Sequence, residues 1–121
     1  MKNCLFCKII NKEIASEIVY EDEKIIAFKD IHPKAPYHFL VFPKKHIISM
    51  AFLQDQDFDL VKDMAKIAKE LSLEISKEKG LSEPIAFNII SNNGAESGQS
   101  VFHIHWHFLA GKNLFTSGLK L

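Results

Sequence analysis

Short runs of apolar residues separated by polar turns occupy most of the chain, and they predict a sheet of several strands. Residues 18–20 and 25–28 flank an acidic turn and predict a β-hairpin. Residues 38–42 form a third apolar run, and residues 85–91 form a fourth. Their lengths are typical of strands rather than of helices.

One longer stretch repeats its apolar residues at the three- and four-residue spacing of a helix. We predict a helix from about residue 57 to residue 79, ended by Gly80. Leu60 and Ile67 widen its apolar stripe, which indicates either a broad core face or a second surface, such as another subunit, that covers the helix. The residues at helical spacing are Phe58, Val61, Met64, Ala65, Ala68, Leu71 and Ile75.

A second, short helix is predicted over residues 3–11, with Asn3 as its capping residue. Together these patterns predict an α+β fold, with about five strands in a mostly antiparallel sheet, one long helix and one short helix. The chain of 121 residues is long enough for one conventional core and contains no internal repeat or linker. We therefore expect a single domain over residues 1–121.

The most informative pattern is a set of three histidines at two-residue spacing, His103, His105 and His107. Side chains alternate along a strand, so the three imidazoles are expected on one face while Ile104 and Trp106 pack on the other. A single histidine would indicate only a half-buried strand with a polar face. Three in register favour a functional site, because burying several titratable rings is costly and histidine is a common proton shuttle and metal ligand.

The geometry of a strand limits what these three histidines can do together. A rise of about 3.3 Å per residue separates successive histidines by about 7 Å and the outer two by about 13 Å. One metal ion is therefore not expected to bind all three. We expect His105 to carry the chemistry, while His103 and His107 serve other functions with partners from elsewhere in the chain.

Cys4 and Cys7 form a C-x2-C pair and are the only cysteines of the chain. Thiolates at this spacing suit a tetrahedral zinc site when two imidazoles complete it. The pair is also compatible with a redox motif, a disulfide or two small core residues of a short helix. No strand precedes it, which disfavours a thioredoxin-like motif, and the sequence shows no secretory segment, so we expect a cytoplasmic, reducing location without a structural disulfide.

The charge balance bears on the class of partner. Fifteen basic and fifteen acidic residues leave no formal net charge. Binding to a nucleic-acid backbone depends on clustered Lys and Arg, which this composition does not supply. No apolar run approaches the roughly 20 residues of a membrane span. We therefore expect neither a nucleic-acid backbone nor a membrane as a partner.

The chain resembles the histidine triad nucleotide-binding proteins, in particular their Hint branch. The central match runs from His103 to Leu109 and reads His-φ-His-φ-His-φ-φ, where φ is an apolar residue. The resemblance covers nearly the whole chain to about Gly111. Further matching segments are residues 4–10, 28–31, 38–46, 92–94 and 98–101.

This resemblance implies a homodimer, with sheets joined across the interface, that binds purine nucleotides and hydrolyses nucleoside phosphoramidates or related aminoacyl-adenylates. His105 would be the nucleophile, attacking the α-phosphorus to form a nucleotidyl-imidazole that water then hydrolyses. Cleavage of dinucleoside polyphosphates is a substrate variant of the same chemistry. The alternative from a different class is a nucleotide- or zinc-binding interaction module without meaningful turnover.

The resemblance also implies roles for residues around the nucleophile. His107 would contact the phosphate and could protonate the leaving amine, His38 would relay protons near His105, and Asp30 would bind the ribose hydroxyls. The residues implied at the phosphate are Asn92, Gln99, Ser100, Val101 and His107. Those implied in the base pocket are Leu5, Phe6, Ile9, Phe28 and Ile31.

Members of the family that keep the C-x2-C pair use it in a zinc site, together with the histidine after the Pro-Lys-Lys segment and the first triad histidine. In this chain those residues would be Cys4, Cys7, His46 and His103. The zinc ion would be a structural clamp beside the reacting groups, while the nucleophile would be the separate residue His105.

Overall fold

The computed structural model describes residues 3–116 and 118–121. Its five strands form one antiparallel sheet in the order β1-β2-β3-β5-β4. This architecture confirms the predicted α+β fold. The helices and strands are α1 (Leu5–Ile10), β1 (Ile18–Glu21), β2 (Ile25–Lys29), β3 (Tyr37–Pro43), α2 (Phe58–Lys79), β4 (Phe87–Ile90) and β5 (Trp106–Ala110).

The alternation of side chains along the central strands gives the sheet two apolar faces. Ile25 and Phe39 belong to the core that packs against α2, whereas Ile26 and Leu40, their neighbours in sequence, belong to the core that packs against α1. The larger core contains residues of α2 such as Met64, and the smaller contains Phe6, Ile9, Phe28 and Phe42. Both faces of the middle strands are therefore covered.

The long helix α2 ends as predicted at Gly80, which adopts the left-handed conformation with φ of 69°. Ile67 is buried in the core on this side of the sheet, and Leu60 packs against it. The core itself therefore covers these two residues, while Phe58 at the start of the stripe is 53% exposed. No helix among the described residues is both long enough and apolar enough to cross a bilayer.

The short helix α1 begins one residue later than its predicted cap implied. The capping residue is Cys4 rather than Asn3, because the extended backbone of Cys4 lets its Sγ accept a hydrogen bond from the backbone N–H of Cys7 at 3.3 Å. The same sulfur faces His103, as described below. The residue that starts the helix is therefore also part of a side-chain cluster.

The prediction that one strand carries all three histidines was wrong. Strand β5 begins at Trp106, so it includes His107 but neither His103 nor His105. The β3–β5 ladder ends at the pair Val41–Trp106, and continuing its register would place Pro43, which has no backbone N–H, opposite the preceding segment. That segment is held instead by the N–H of Ile104, which donates to the carbonyl of Ile47 at 2.6 Å.

Strand β4 is shorter than the predicted strand over residues 85–91. It spans Phe87–Ile90, because the backbone N–H of Ile85 donates to the hydroxyl of Ser76 on α2 at 2.6 Å rather than to a neighbouring strand. β4 pairs with β5 and lies at the edge of the sheet.

Candidate active site and metal centre

Four aromatic rings lie together on the α1 side of the sheet. The ring centroids of His105 and His107 are 5.2 Å apart, and those of His38 and His107 are 5.1 Å apart. Phe6 of α1 contacts His105 edge to face, with a centroid distance of 4.9 Å. The structure thus brings His38, His105 and His107 together. His38 lies on β3 and His107 on β5, whereas His105 lies in the segment just before β5.

The hydrogen bond of His105 fixes which of its nitrogens carries the proton. Its Nδ1 lies 2.8 Å from the backbone carbonyl of His103, and a carbonyl only accepts, so Nδ1 is the donor. Burial lowers the pKa of His105, against the opposing effect of that hydrogen bond. The ring is therefore neutral near pH 7, with the Nε2 lone pair available for attack.

A chain of hydrogen bonds fixes the tautomers of the other two rings in the same way. The backbone N–H of Lys34 donates to Nδ1 of His38 at 3.1 Å, so the proton of the neutral ring is on Nε2. Nε2 of His38 in turn lies 2.9 Å from Nδ1 of His107 and donates its proton to it. His107 therefore accepts at Nδ1 and carries its own proton on Nε2, where it can donate to a bound anion.

Burial keeps this pair of rings neutral. It is the largest cause that lowers the pKa of His107 to about 4, and the neighbouring His105 and His38 rings add to the effect. Burial also lowers the pKa of His38, while the carboxylate of Asp30 opposes this change. A neutral His107 can therefore donate one hydrogen bond through Nε2–H without carrying a positive charge.

Asp30 follows β2 and lies beside the histidine pair. One carboxylate oxygen is 3.4 Å from Nε2 of His38, and the other accepts the backbone N–H of His32 at 2.8 Å. Asp30, His38 and His107 place three possible donor atoms within 4.8 Å of one another. The tautomer of His38 disfavours a metal ion here, because its Nε2 carries a proton as long as Nδ1 accepts from Lys34.

The four residues expected to bind zinc form one cluster. One ligand atom from each lies within 4.8 Å of all the others. Nδ1 of His103 is 3.4 Å from Sγ of Cys4 and 3.6 Å from Sγ of Cys7. Nδ1 of His46 is 3.4 Å from Sγ of Cys7 and 3.2 Å from Nδ1 of His103.

These distances fit the edges of a zinc tetrahedron. With Zn–S near 2.3 Å and Zn–N near 2.0–2.1 Å, tetrahedral angles give S···N edges of about 3.6 Å and N···N edges of about 3.3 Å. His103 also has the required tautomer, because its Nε2 lies 2.7 Å from the carbonyl of Pro43 and must donate to it. Its Nδ1 lone pair consequently faces the three other donors. The residues present therefore fit a zinc ion.

The protonation chemistry of the cluster is consistent with a cation-binding role. Burial, followed by the neighbouring Cys4, raises the pKa of the Cys7 thiol to about 11. Burial lowers the pKa of His103 to about 4 and also lowers the pKa of His46. Two neutral imidazoles supply lone pairs, and a bound divalent ion would convert both thiols to thiolates.

The loop expected at the phosphate, residues 92–101, contains both a buried side chain that holds it together and exposed side chains. The side chain of Gln99 is buried and holds the loop together, accepting from the N–H of Gly94 at 2.8 Å and donating to the carbonyls of Ile48 at 2.7 Å and Val101 at 3.1 Å. Ser100 is exposed and Asn92 is half-buried. The side chain of Gln99 therefore stabilises the loop through backbone hydrogen bonds, while the side chain of Ser100 is accessible to a ligand.

The five residues expected around the base occupy different depths. Phe6, Ile9 and Phe28 are buried in the core on the α1 side. Leu5 is 44% exposed and lines a cleft that Ser100 and Val101 also line. Ile31 is 81% exposed in the loop after β2, so it lies at the surface rather than in the core.

Several backbone groups complete the site, and side-chain patterns do not reveal them. The carbonyls of Pro43 and His103 and the N–H of Lys34 fix the tautomers of three histidines. The sequence offers one partial signal, since Pro43 marks the end of β3 and so the end of the ladder. The other two depend on the folded path of the chain.

Comparisons with known proteins show the family to which the chain belongs. The family model described as "Scavenger mRNA decapping enzyme C-term binding" matches residues 3–118. Protein HitA of Neisseria gonorrhoeae is 43% identical over 110 residues, which cover 90% of this chain and 96% of that protein. The chain therefore has a curated relative of nearly the same length.

Solved structures of the same family also match this chain. A HIT family hydrolase from Clostridium thermocellum matches with a TM-score of 0.84 and 39% identity, covering 100% of this chain and 98% of that one. A histidine triad nucleotide-binding protein from Candida albicans matches with a TM-score of 0.81 and 32% identity, covering 98% of this chain and 82% of that one. With three histidines at alternate positions and relatives this similar over nearly its whole length, the chain belongs to the histidine triad (HIT) family.

Proposed function

We propose that this protein is a hydrolase that cleaves purine nucleoside phosphoramidates, such as adenosine 5′-phosphoramidate and AMP-lysine, or the related aminoacyl-adenylates. The observation that carries the proposal is the hydrogen bond from His105 Nδ1 to the His103 carbonyl, which leaves the Nε2 lone pair free. The nearby His107 presents an N–H donor. A nucleophile beside an anion-stabilising donor is the arrangement that nucleotidyl transfer requires.

The first step transfers the nucleotidyl group to the protein. With a phosphoramidate, the lone pair of His105 Nε2 forms a bond to the α-phosphorus, and the bond from phosphorus to the leaving nitrogen breaks; with an aminoacyl-adenylate, the P–O bond would break instead and the amino acid would leave as its carboxylate. The amine departs after taking up one proton from solvent. His107 Nε2–H donates to a phosphate oxygen throughout, and the His103 carbonyl stabilises the imidazolium-like charge through Nδ1–H.

The second step regenerates the free imidazole. A water oxygen bonds to phosphorus, the P–Nε2 bond breaks and its electron pair returns to His105. The water proton passes to solvent, so the two steps together consume one water and release an amine and a nucleoside monophosphate. Splitting one displacement into two is the usual benefit of a covalent intermediate.

Substrate binding is assigned to polar groups around the histidines and to the cleft that Leu5, Ser100 and Val101 line. Asp30 is half-buried next to His38 and is proposed to bind the ribose hydroxyls. Ser100 is exposed in the loop that Gln99 holds and is proposed to contact the phosphate, with Asn92 nearby. Leu5 and Val101 line the cleft proposed to receive the purine.

Zinc is the ion proposed for the Cys4, Cys7, His46 and His103 cluster. When bound, it would act as a structural clamp that joins the start of α1, the segment after β3 and the segment before β5. The proposed location is the cytoplasm, because a reducing compartment keeps two such thiols from forming a disulfide.

The proposed assembly is a homodimer. Strand β4 lies at the edge of the sheet, and its end residues Phe87 and Ile90 are 37% and 36% exposed. An open edge with apolar residues at its ends is a surface that a second copy could cover by continuing the sheet. The similarity to a HIT family hydrolase and to a histidine triad nucleotide-binding protein supports the nucleotide substrate class.

Single-turnover hydrolysis of adenosine 5′-phosphoramidate tests the proposal. Wild type should release AMP, while His105→Ala and His105→Asn should bind AMP but form none from the phosphoramidate. His32→Ala is a matched control, because His32 lies exposed in a loop. If dimeric wild type binds AMP and shows no turnover, the proposal is wrong and the chain is a nucleotide-binding module.

A further inference from the structure

We propose that the metal ion bound by Cys4, Cys7, His46 and His103 positions the His105 ring, so that metal occupancy sets the rate of the chemical step. The inference rests on the proposed function for the reaction itself. Its structural basis is that His103 belongs to both sites: its side chain lies in the donor cluster, and its backbone carbonyl holds the nucleophile.

The first connection runs through His103 alone. Its ring is fully buried and is held at Nε2 by the Pro43 carbonyl at 2.7 Å. Its Nδ1 faces the Nδ1 of His46 at 3.2 Å. A cation between these donors would hold the ring from both sides and thereby fix the carbonyl that accepts His105 Nδ1–H at 2.8 Å. Without the ion, a proton on His46 Nδ1 or on one of the thiols can bridge to His103 Nδ1, but such a hydrogen bond joins only two of the four donors.

The second connection runs through helix α1. Phe6 lies between the two cysteines in sequence, and its ring contacts both His105 and His103, at centroid distances of 4.9 Å and 5.9 Å. The helix has six residues, too few to be stable by itself, so its place depends on packing and on attachments such as the cluster. Loss of the ion would therefore loosen the ring that packs edge-on against the nucleophile.

Both connections control the orientation and the tautomer of His105. A loosened carbonyl lets the proton move from Nδ1 to Nε2, and in that tautomer the nitrogen facing the phosphorus has no lone pair. Small misplacements of a nucleophile have large effects on rate. Ligand affinity depends on other contacts, so the expected signature is a change in kcat with little change in AMP binding.

The substitution that separates the ion from the helix is Cys4→Ser. A serine hydroxyl can still cap α1 by accepting the Cys7 N–H, as the sulfur does at 3.3 Å, but it is not a usual ligand of structural zinc. The matched control is Ile10→Ala, because Ile10 packs against the same core from α1 without belonging to the cluster. Together the two variants distinguish loss of the ion from loss of helix packing.

Four quantities are measured on protein incubated with Zn²⁺ and then freed of excess ion: the Zn²⁺ bound per chain, the 15N chemical shifts of the His105 ring, assigned by comparison with His105→Asn, kcat for adenosine 5′-phosphoramidate, and the Kd for AMP. Wild type should bind one Zn²⁺ and show a single His105 tautomer protonated at Nδ1. Cys4→Ser should show a mixture of tautomers and a kcat lower by about tenfold or more, with AMP affinity within about twofold. Ile10→Ala should keep the wild-type tautomer and kcat.

The proposal is overturned if wild type binds no Zn²⁺, or if Cys4→Ser loses Zn²⁺ yet keeps the wild-type His105 shifts and kcat. An equal effect of Ile10→Ala would likewise overturn it, because packing of α1 would then explain the change. If no variant turns over substrate but the His105 tautomer still follows Zn²⁺ occupancy, the positioning inference stands and the proposed hydrolase activity falls.

Discussion

Nε2 of His38 lies 2.9 Å from Nδ1 of His107, although 69 residues separate the two in the chain. The N–H of Lys34 determines the direction of this contact, since it donates to the other nitrogen of His38. His38 consequently donates to His107, and His107 presents Nε2–H to the site. This contact therefore selects the tautomer of His107.

Replacement of His38 should lower kcat because His107 then loses the group that fixes its donor tautomer. We expect His38→Phe, which has no donor, to reduce kcat by about 10²-fold, near the lower end of effects seen for acid–base groups. His38→Gln retains an N–H donor and should recover part of the loss. Steady-state kinetics with adenosine 5′-phosphoramidate measure the difference, and equal rates for the two variants would contradict this role.

Removal of the Gln99 side chain should weaken both the fold and phosphate binding. Gln99→Ala leaves the N–H of Gly94 and two carbonyls without their side-chain partner, at a cost of about 1–3 kcal/mol in the free energy of unfolding. The loop that carries Ser100 loosens, so AMP affinity should fall several-fold. Gln56→Ala is the control, because Gln56 forms only an exposed hydrogen bond to Gln54. Denaturant unfolding and AMP titration test both effects.

Two serines of α2 offer a matched test of one tertiary hydrogen bond. The Ser76 hydroxyl accepts the backbone N–H of Ile85, so Ser76→Ala should destabilise the fold by about 1–3 kcal/mol. The Ser72 hydroxyl bonds only to the Lys69 carbonyl of its own helix at 2.7 Å, and Ser72→Ala should change stability little. Similar losses from the two substitutions in urea unfolding would contradict this assignment.

Acid should destabilise the protein through His107. An unfolded histidine titrates near pH 6.5, whereas burial lowers the pKa of His107 to about 4, so the unfolded chain binds the proton first. The contribution of the neutral ring is complete above about pH 6.5 and is lost as the pH falls through about 4.

Thermal melts between pH 4.5 and 7.5 measure this loss. The free energy of unfolding of wild type, derived from these melts, should fall on acidification, and that of His107→Asn should fall less steeply, by up to about 1.4 kcal/mol per pH unit. The exposed His32 provides the control variant His32→Asn, which should retain the wild-type slope. Identical slopes for all three proteins would show that His107 is not neutralised by burial.

The secondary structure was largely predictable because apolar periodicity follows from packing. The hairpin strands and the end of α2 at Gly80 agree with the sequence pattern. The pattern failed where tertiary hydrogen bonds replaced the ladder. Pro43 shortened the histidine strand, and Ser76 took the N–H of Ile85 from the predicted fourth strand.

The site was predictable as a set of residue types and not as a set of protonation states. Spacing singled out His105, and the resemblance to the HIT family named the four clustered donors. The tautomers of His38, His103 and His105 depend on three backbone groups, which every sequence contains and only a folded chain directs. Residue identity therefore predicted which groups meet but not which nitrogen of each ring would be free.

The two faces of the sheet separate function from support. The rings of the proposed active site lie on the α1 side, whereas α2 covers the opposite face through residues such as Met64 and Leu71. A laboratory that evolves this scaffold toward new leaving groups can therefore raise its thermal tolerance first, by repacking the α2 side. The added stability would offset the destabilisation caused by later substitutions around His105.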